Sequence, residues 1–123
     1  MSKESLLVNR IKSVGFALAG LFQLLKTEAS IKIQFVIALV VTGLGFYFNI
    51  SEIEWALQCL AIGLVMGIEG MNTAVERLAD YVQPDFDEKI GRIKDISAGA
   101  VMLVSIIATV IGLIIYLPKI FSG

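Results

Sequence analysis

The sequence predicts an all-α membrane protein: three transmembrane helices preceded by an N-terminal amphipathic surface helix. Three observations carry that expectation. The 123 residues are 57% hydrophobic and only 17% charged, with a mean hydropathy of +0.84, more apolar than a small soluble core requires. Three apolar stretches, at about 33–48, 53–72 and 96–117, approach or reach the roughly 20 residues that cross a hydrocarbon core about 30 Å thick. Polar connections at 49–54 and 81–94 separate them.

The elements follow in order. Residues 5–26 form an amphipathic helix with a polar or small stripe of Asn9, Lys12, Ser13, Ala19, Gly20, Gln23 and Lys26, interrupted by Phe16. Leu6, Leu7, Val8, Ile11, Val14, Leu18, Leu21, Phe22 and Leu25 fill its other side. Such a helix either lies in the cytoplasmic interface or packs its apolar face on the spans. The join 27–30 then sets Glu28 near that interface. The spans are expected as helices at about 31–49, 53–82 and 92–117. Pro84-Asp85 ends the second and opens a loop with Asp85, Asp87 and Glu88, and Gly91-Arg92 precedes the third, whose first turn carries Lys94 and Asp95. Gly63-x-x-x-Gly67 permits close helix approach. No repeat or second domain interrupts 1–123, and three spans this short hardly enclose a polar pocket alone, so self-association is expected.

Charge sets orientation and excludes chemistries. Basic residues gather before the first span (Lys3, Arg10, Lys12, Lys26, Lys32) and between the second and third (Arg77, Lys89, Arg92, Lys94), while 49–54 has none and Lys119 alone follows the third. The positive-inside rule places the N-terminus and the 81–94 loop in the cytoplasm and the C-terminus outside. The first twelve residues are polar-rich, so no cleaved signal is expected. A net charge of −1 offers no basic surface for nucleic acid. Cys59 stands alone and histidine is absent, which excludes an intrachain disulfide, a thiolate cluster and an imidazole base.

Glu69, Asn72, Glu76 and Asp80 are the candidates for chemistry. Their spacings of three, four and four keep them on one helix face, at the end of a charge-free run, 55–68. With the span entering near Ile53 outside, Glu69 lies just within the inner hydrocarbon boundary, and Glu76 and Asp80 lie one and two turns beyond it. A carboxylate at that depth is a functional residue by default and is suited to accepting a proton. Glu76, in a wetter setting, suits a hard cation, and Lys94 at the same level suits phosphate oxygens. A base, a metal ligand and a lysine beside lipid headgroups are the parts phosphoryl transfer requires. No Walker-type or dinucleotide glycine motif is present. A proton or ion conduit with Glu69 as relay accounts for the intramembrane acid but leaves Asn72, Glu76 and Lys94 without a role.

The run Glu69-Gly70-Met71-Asn72-Thr73-Ala74-Val75-Glu76, then Asp80, then Lys94-Asp95 followed by small residues, closely resembles the signature of the prokaryotic diacylglycerol kinase family. The likeness extends over nearly the whole chain. It implies a trimeric helical bundle in the bacterial inner (cytoplasmic) membrane that moves the γ-phosphate of ATP, with Mg2+, onto a lipid hydroxyl. The resemblance makes Glu69 the catalytic base, Asn72 its positioner, and Glu28 and Glu76 the metal ligands. Arg10, Phe16, Asp80, Asp85, Asp87, Lys94 and Asp95 become nucleotide contacts, and Asn9 and Ala98 lipid contacts. Diacylglycerol is the substrate the signature is named for. Phe16-Ala17 stands where the well-known proteobacterial branch has Tyr-Ser, and Ser97-Ala98-Gly99 where it has Gly-Ser-Ala. Thr73 and the Ala98-Gly99-Ala100-Val101 run are closer to the branch that includes undecaprenol kinases, which makes undecaprenol the alternative.

Overall fold

The computed structural model describes residues 3–122, and of residue 4 the backbone alone. Four helices account for nearly all of it: α1 (Lys3–Thr27), α2 (Ala29–Phe48), α3 (Glu52–Val82) and α4 (Glu88–Phe121), with no strand among the described residues. The all-helical expectation holds. Each helix is long and apolar enough to cross a membrane, α1 included, so length and composition do not separate the N-terminal helix from the other three. At 1.5 Å per residue α3 is about 46 Å long, well beyond a hydrocarbon core of about 30 Å. One of its ends must therefore stand in the headgroup region or beyond.

The breaks between helices have local causes. Glu28, extended at φ −102° and ψ 115°, is the single residue between α1 and α2. Asn49 closes α2 in the left-handed conformation at φ 50°, which asparagine tolerates better than most residues. Its neighbour Ile50 donates its backbone N–H back to the Gly45 carbonyl at 3.1 Å. Ser51 opens α3 with a capping box: its Oγ accepts from the Glu54 N–H at 3.2 Å, and Glu54 Oε1 accepts from the Ser51 N–H at 3.0 Å. The third predicted span begins earlier than Gly91-Arg92 suggests. Asp87 Oδ1 accepts from the N–H groups of Lys89 and Ile90 at 2.9 and 3.1 Å, and this cap, worth about 1 kcal/mol, offsets a glycine in the first turn. Lys94 and Asp95 consequently sit in the second turn of α4, not the first.

The helices lock together at the end that carries the α2–α3 turn. Ile50, Ile115 and Tyr116 are buried there, with Val41, Phe48, Trp55 and Ile111 packed around them. A Cβ on Gly45 would meet the Trp55 ring at 2.6 Å, so the crossing of α2 over α3 needs glycine at this position. Tyr116 Oη bonds Gln58 Oε1 and lies 3.2 Å from the Val41 carbonyl, to which Gln58 Nε2 also donates at 3.4 Å. These contacts join α2, α3 and α4. Lys119 Nζ, 2.6 Å from Glu54 Oε2, closes the same end.

Elsewhere the chain leaves most of its large apolar side chains exposed, on every helix. An apolar exterior this extensive is a surface for lipid or for another protein, not for water. α3 is the central element, packed along α4 and against α2, while α1 reaches it where Leu24 stands beside Gly70.

Candidate functional site

The half of α3 remote from the capping box carries the polar face that the spacing predicts. Glu69, Asn72 and Thr73 are all buried, at 5 to 8% exposure, and Glu76 is half-buried one turn on. Because these positions are three and four apart, they form one continuous stripe. Thr73 Oγ donates to the Glu69 carbonyl at 3.1 Å, which turns its hydroxyl back into the helix. Asn72 Nδ2 donates to Glu76 Oε1 at 3.3 Å, linking the two members of the stripe. From α2, Gln34 Nε2 reaches Glu69 Oε2 at 3.5 Å.

Two buried oxygens have no hydrogen-bond partner among the described residues, Asn72 Oδ1 in the stripe and Gln34 Oε1 on α2 beside it. An orphaned buried acceptor is costly and marks where a ligand or water supplies the missing group. The Asn72 amide turns its nitrogen, not this oxygen, toward Glu76, so Oδ1 is left to accept from a group outside the stripe. Among the described residues no group of three or more acidic or cysteine side chains gathers around one point. The described residues of one chain thus bring together no complete ligand set for the cation expected from the sequence.

Glu28 is engaged elsewhere. Its Oε1 is paired with Arg77 Nη2 at 2.6 Å, and the same nitrogen donates to Thr27 Oγ1 at 2.9 Å. Across the other side, Asp80 Oδ1 pairs with Lys94 Nζ, joining α3 to α4 at the solvent-exposed end of the stripe. The predicted site thus divides into a buried part (Glu69, Asn72, Thr73), a half-buried carboxylate (Glu76) and two ion pairs at its rim.

The remaining predicted residues are placed more loosely. Asp87 is occupied as the cap of α4, while Asp85 and Asp95 are exposed. Arg10 and Asn9 are exposed on α1, and Phe16 is 76% exposed there, so the isolated chain does not bring this helix face to the stripe. Ala98 is exposed on α4.

Two polar residues that sequence reasoning passed over complete the site. Gln34 is an isolated amide in an apolar span, and that isolation was the available signal. Arg77 follows Glu76 directly, but nothing in the spacing points it at Glu28, 49 positions away.

Two cavities adjoin the stripe. One of about 570 Å3 runs between α2, α3 and α4 from Gln34 past Ala38, Ala61, Ser105 and Thr109 to Tyr116. Its walls are largely apolar and at one end it shares Gln34 with the Glu69 contact. The other, of about 500 Å3, lies between α1 and α3 and includes Leu24, Gly70, Met71, Thr73 and Arg77. Largely apolar cavities of this size next to a polar stripe suit an apolar ligand with a polar end.

Comparisons with known proteins agree with this chemistry. Residues 15–116 match the family model described as prokaryotic diacylglycerol kinase. The chain is 34% identical to an undecaprenol kinase of Bacillus subtilis over 88% of each protein. It is 30% identical to a diacylglycerol kinase of Haemophilus influenzae, covering 84% of this chain and 87% of that one. With a diacylglycerol kinase of Escherichia coli the identity is 28%, covering 81% and 82%.

Proposed function

This chain belongs to the prokaryotic diacylglycerol kinase family and is a membrane lipid kinase that uses ATP, and from that premise we propose that it phosphorylates the primary hydroxyl of diacylglycerol to give phosphatidic acid. The observation that carries the assignment of the site is the burial of Glu69, against Gln34, on a stripe shared with Asn72 and Glu76.

In this reading the lipid hydroxyl approaches Glu69, which accepts its proton as the oxygen attacks the γ-phosphorus. Asn72 orients the reacting groups with its unpartnered Oδ1. Glu76 and Glu28 would hold Mg2+, which when bound would supply neutralisation of charge on the transferring phosphoryl group. Lys94 and Asp95 contact the nucleotide, Asp80 supports them, and Arg10, Phe16, Asp85 and Asp87 complete that side. Asn9 and Ala98 meet the lipid.

The topology that accompanies this reading has three spans, with α1 lying in the cytoplasmic interface, the N-terminus inside and the C-terminus outside the bacterial inner (cytoplasmic) membrane. The bias of basic residues toward 3–32 and 77–94 supports it. A homotrimer supplies what the single chain lacks. Arg10 and Phe16 are exposed on α1, and a neighbouring copy can bring the same helix to the stripe.

Undecaprenol is the second reading. Phe16-Ala17 offers no side-chain hydroxyl for a glycerol headgroup, and the 34% likeness to the Bacillus subtilis undecaprenol kinase runs over 88% of the chain. Both lipids present a primary alcohol beside apolar chains, so the chemistry is the same. Purified protein incubated with Mg-ATP and each lipid alcohol in turn tests the choice. The proposal predicts a higher kcat/KM for diacylglycerol, and a preference for undecaprenol would replace it. Cation flux through liposomes without phosphoryl transfer to either would leave Glu69 as a relay instead of a base.

A further inference from the structure

One cation in this chain competes for a carboxylate that the proposed reaction gives to the metal. Arg77 on α3 places Nη2 at 2.6 Å from Glu28 Oε1 and 2.9 Å from Thr27 Oγ1. The Thr27 hydroxyl donates its own proton to the Gln23 carbonyl at 2.7 Å, leaving its oxygen to accept from Arg77. Glu28 is also the lone residue that interrupts the helix between α1 and α2. A single guanidinium therefore holds the last residue of α1, the α1–α2 joint and a proposed metal ligand at once.

We infer that Arg77 is a positioning residue that competes with the divalent cation for Glu28, keeping the α1–α2 joint fastened to α3 until metal and nucleotide draw the carboxylate away. The inference rests on the reading of Glu28 as a metal ligand. Two features of the molecule favour exchange over a fixed structural pair. The pair is open to solvent, with 48% of the Arg77 side chain and 29% of the Glu28 side chain exposed, and such pairs shift an equilibrium by a factor of about five or less. A doubly charged ion that also binds Glu76 gains more than that, so the guanidinium tunes metal binding without preventing it. The second feature is the joint. With a single non-helical residue at Glu28, any change in where its carboxylate is held passes directly to α1 and to the contact of Leu24 with Gly70 beside Glu69.

The exchange keeps charge in balance: the Glu28 carboxylate leaves one positive partner for another, and the released guanidinium becomes available to phosphate oxygens. Arg77 is thus engaged with Glu28 in the metal-free chain and with the nucleotide side in the loaded one.

Binding of Mn2+ to the full-length protein in lipid nanodiscs, followed by electron paramagnetic resonance with a non-hydrolysable ATP analogue present, tests this without relying on turnover. Arg77→Ala and Arg77→Gln should each tighten Mn2+ binding by about two- to fivefold, and the gain should vanish in the Glu28→Gln background. A fold change of the same size in that background would show a general charge effect and overturn the competition, as would unchanged or weaker Mn2+ binding in both Arg77 variants. Phosphorylation of lipid alcohols by the wild-type protein is measured in parallel. Transfer accompanied by a flat binding cycle would overturn the role of Arg77 alone. An intact cycle without transfer would retain Arg77's role and remove the proposed reaction.

Discussion

Gln34 of α2 donates to the Glu69 carboxylate of α3 across 3.5 Å, linking the first predicted span to the acidic stripe of the second. At 3.5 Å the contact is longer than the usual range of about 2.7–3.2 Å, so it orients Glu69 without strongly binding its oxygen. Gln34→Leu removes the donor while preserving bulk. It should lower kcat by about tenfold or less, since one hydrogen bond to a charged group is worth about 1.5–3 kcal/mol at good geometry and less at this distance. The KM for ATP should hold steady. Steady-state kinetics in mixed micelles check this, and an unchanged kcat would show that Gln34 does not position Glu69.

Glu76→Gln should raise the Mg2+ concentration needed for half-maximal activity, and Glu28→Gln should do the same, because each loses a charged oxygen donor to a hard cation. Titration of activity with Mg2+ at fixed ATP separates a ligand from a structural residue. Rescue at high metal supports the assignment. Activity depressed equally at every Mg2+ concentration contradicts it for that residue.

Lys94 is paired with Asp80 at the solvent-exposed end of the stripe. Lys94→Ala should raise the KM for ATP more than the KM for lipid, since its ammonium is expected on phosphate oxygens rather than among acyl chains. Lys94→Arg should rescue only in part, as a planar fork does not reproduce a compact point charge. The check is to vary ATP at saturating lipid and lipid at saturating ATP. A rise in the lipid KM alone would place Lys94 on the other substrate.

At the opposite end, Tyr116→Phe should weaken the bundle by about 0.6–1.7 kcal/mol, the range for hydrogen bonds between membrane helices, because Gln58 Oε1 loses the hydroxyl that bonds it. Unfolding in detergent under a denaturant series measures the loss. Adding Gln58→Leu to Tyr116→Phe should recover part of it by removing the unpaired amide. No difference between wild type and Tyr116→Phe would mean that this contact does not hold α2, α3 and α4 together.

The helices were legible because apolar runs long enough to span a membrane leave few alternatives, and because Pro84 and the 49–54 link interrupt them. Glu69, Asn72 and Glu76 were legible for a related reason: a helix converts sequence spacing directly into a shared face. What spacing does not encode is pairing between helices. Gln34 meets Glu69 across 35 positions and Arg77 meets Glu28 across 49, and neither residue had a periodic neighbour to announce it. The start of α4 was misplaced because Gly91 reads as a breaker, whereas the cap at Asp87 outweighs it. Asn9, Arg10 and Phe16 were assigned from family resemblance, and the single chain leaves all three exposed.

In the proposed reaction the buried Glu69 carboxylate takes the proton from the lipid hydroxyl, which is tested by the kcat of Glu69→Gln at saturating ATP, Mg2+ and lipid. The substitution keeps size and hydrogen-bonding capacity toward Gln34 and removes only the basic oxygen. A loss of about 10²–10⁴ in kcat, with nucleotide binding and assembly retained, is the predicted result. A Glu69→Gln protein turning over at close to the wild-type rate would contradict it and take Glu69 out of the chemistry.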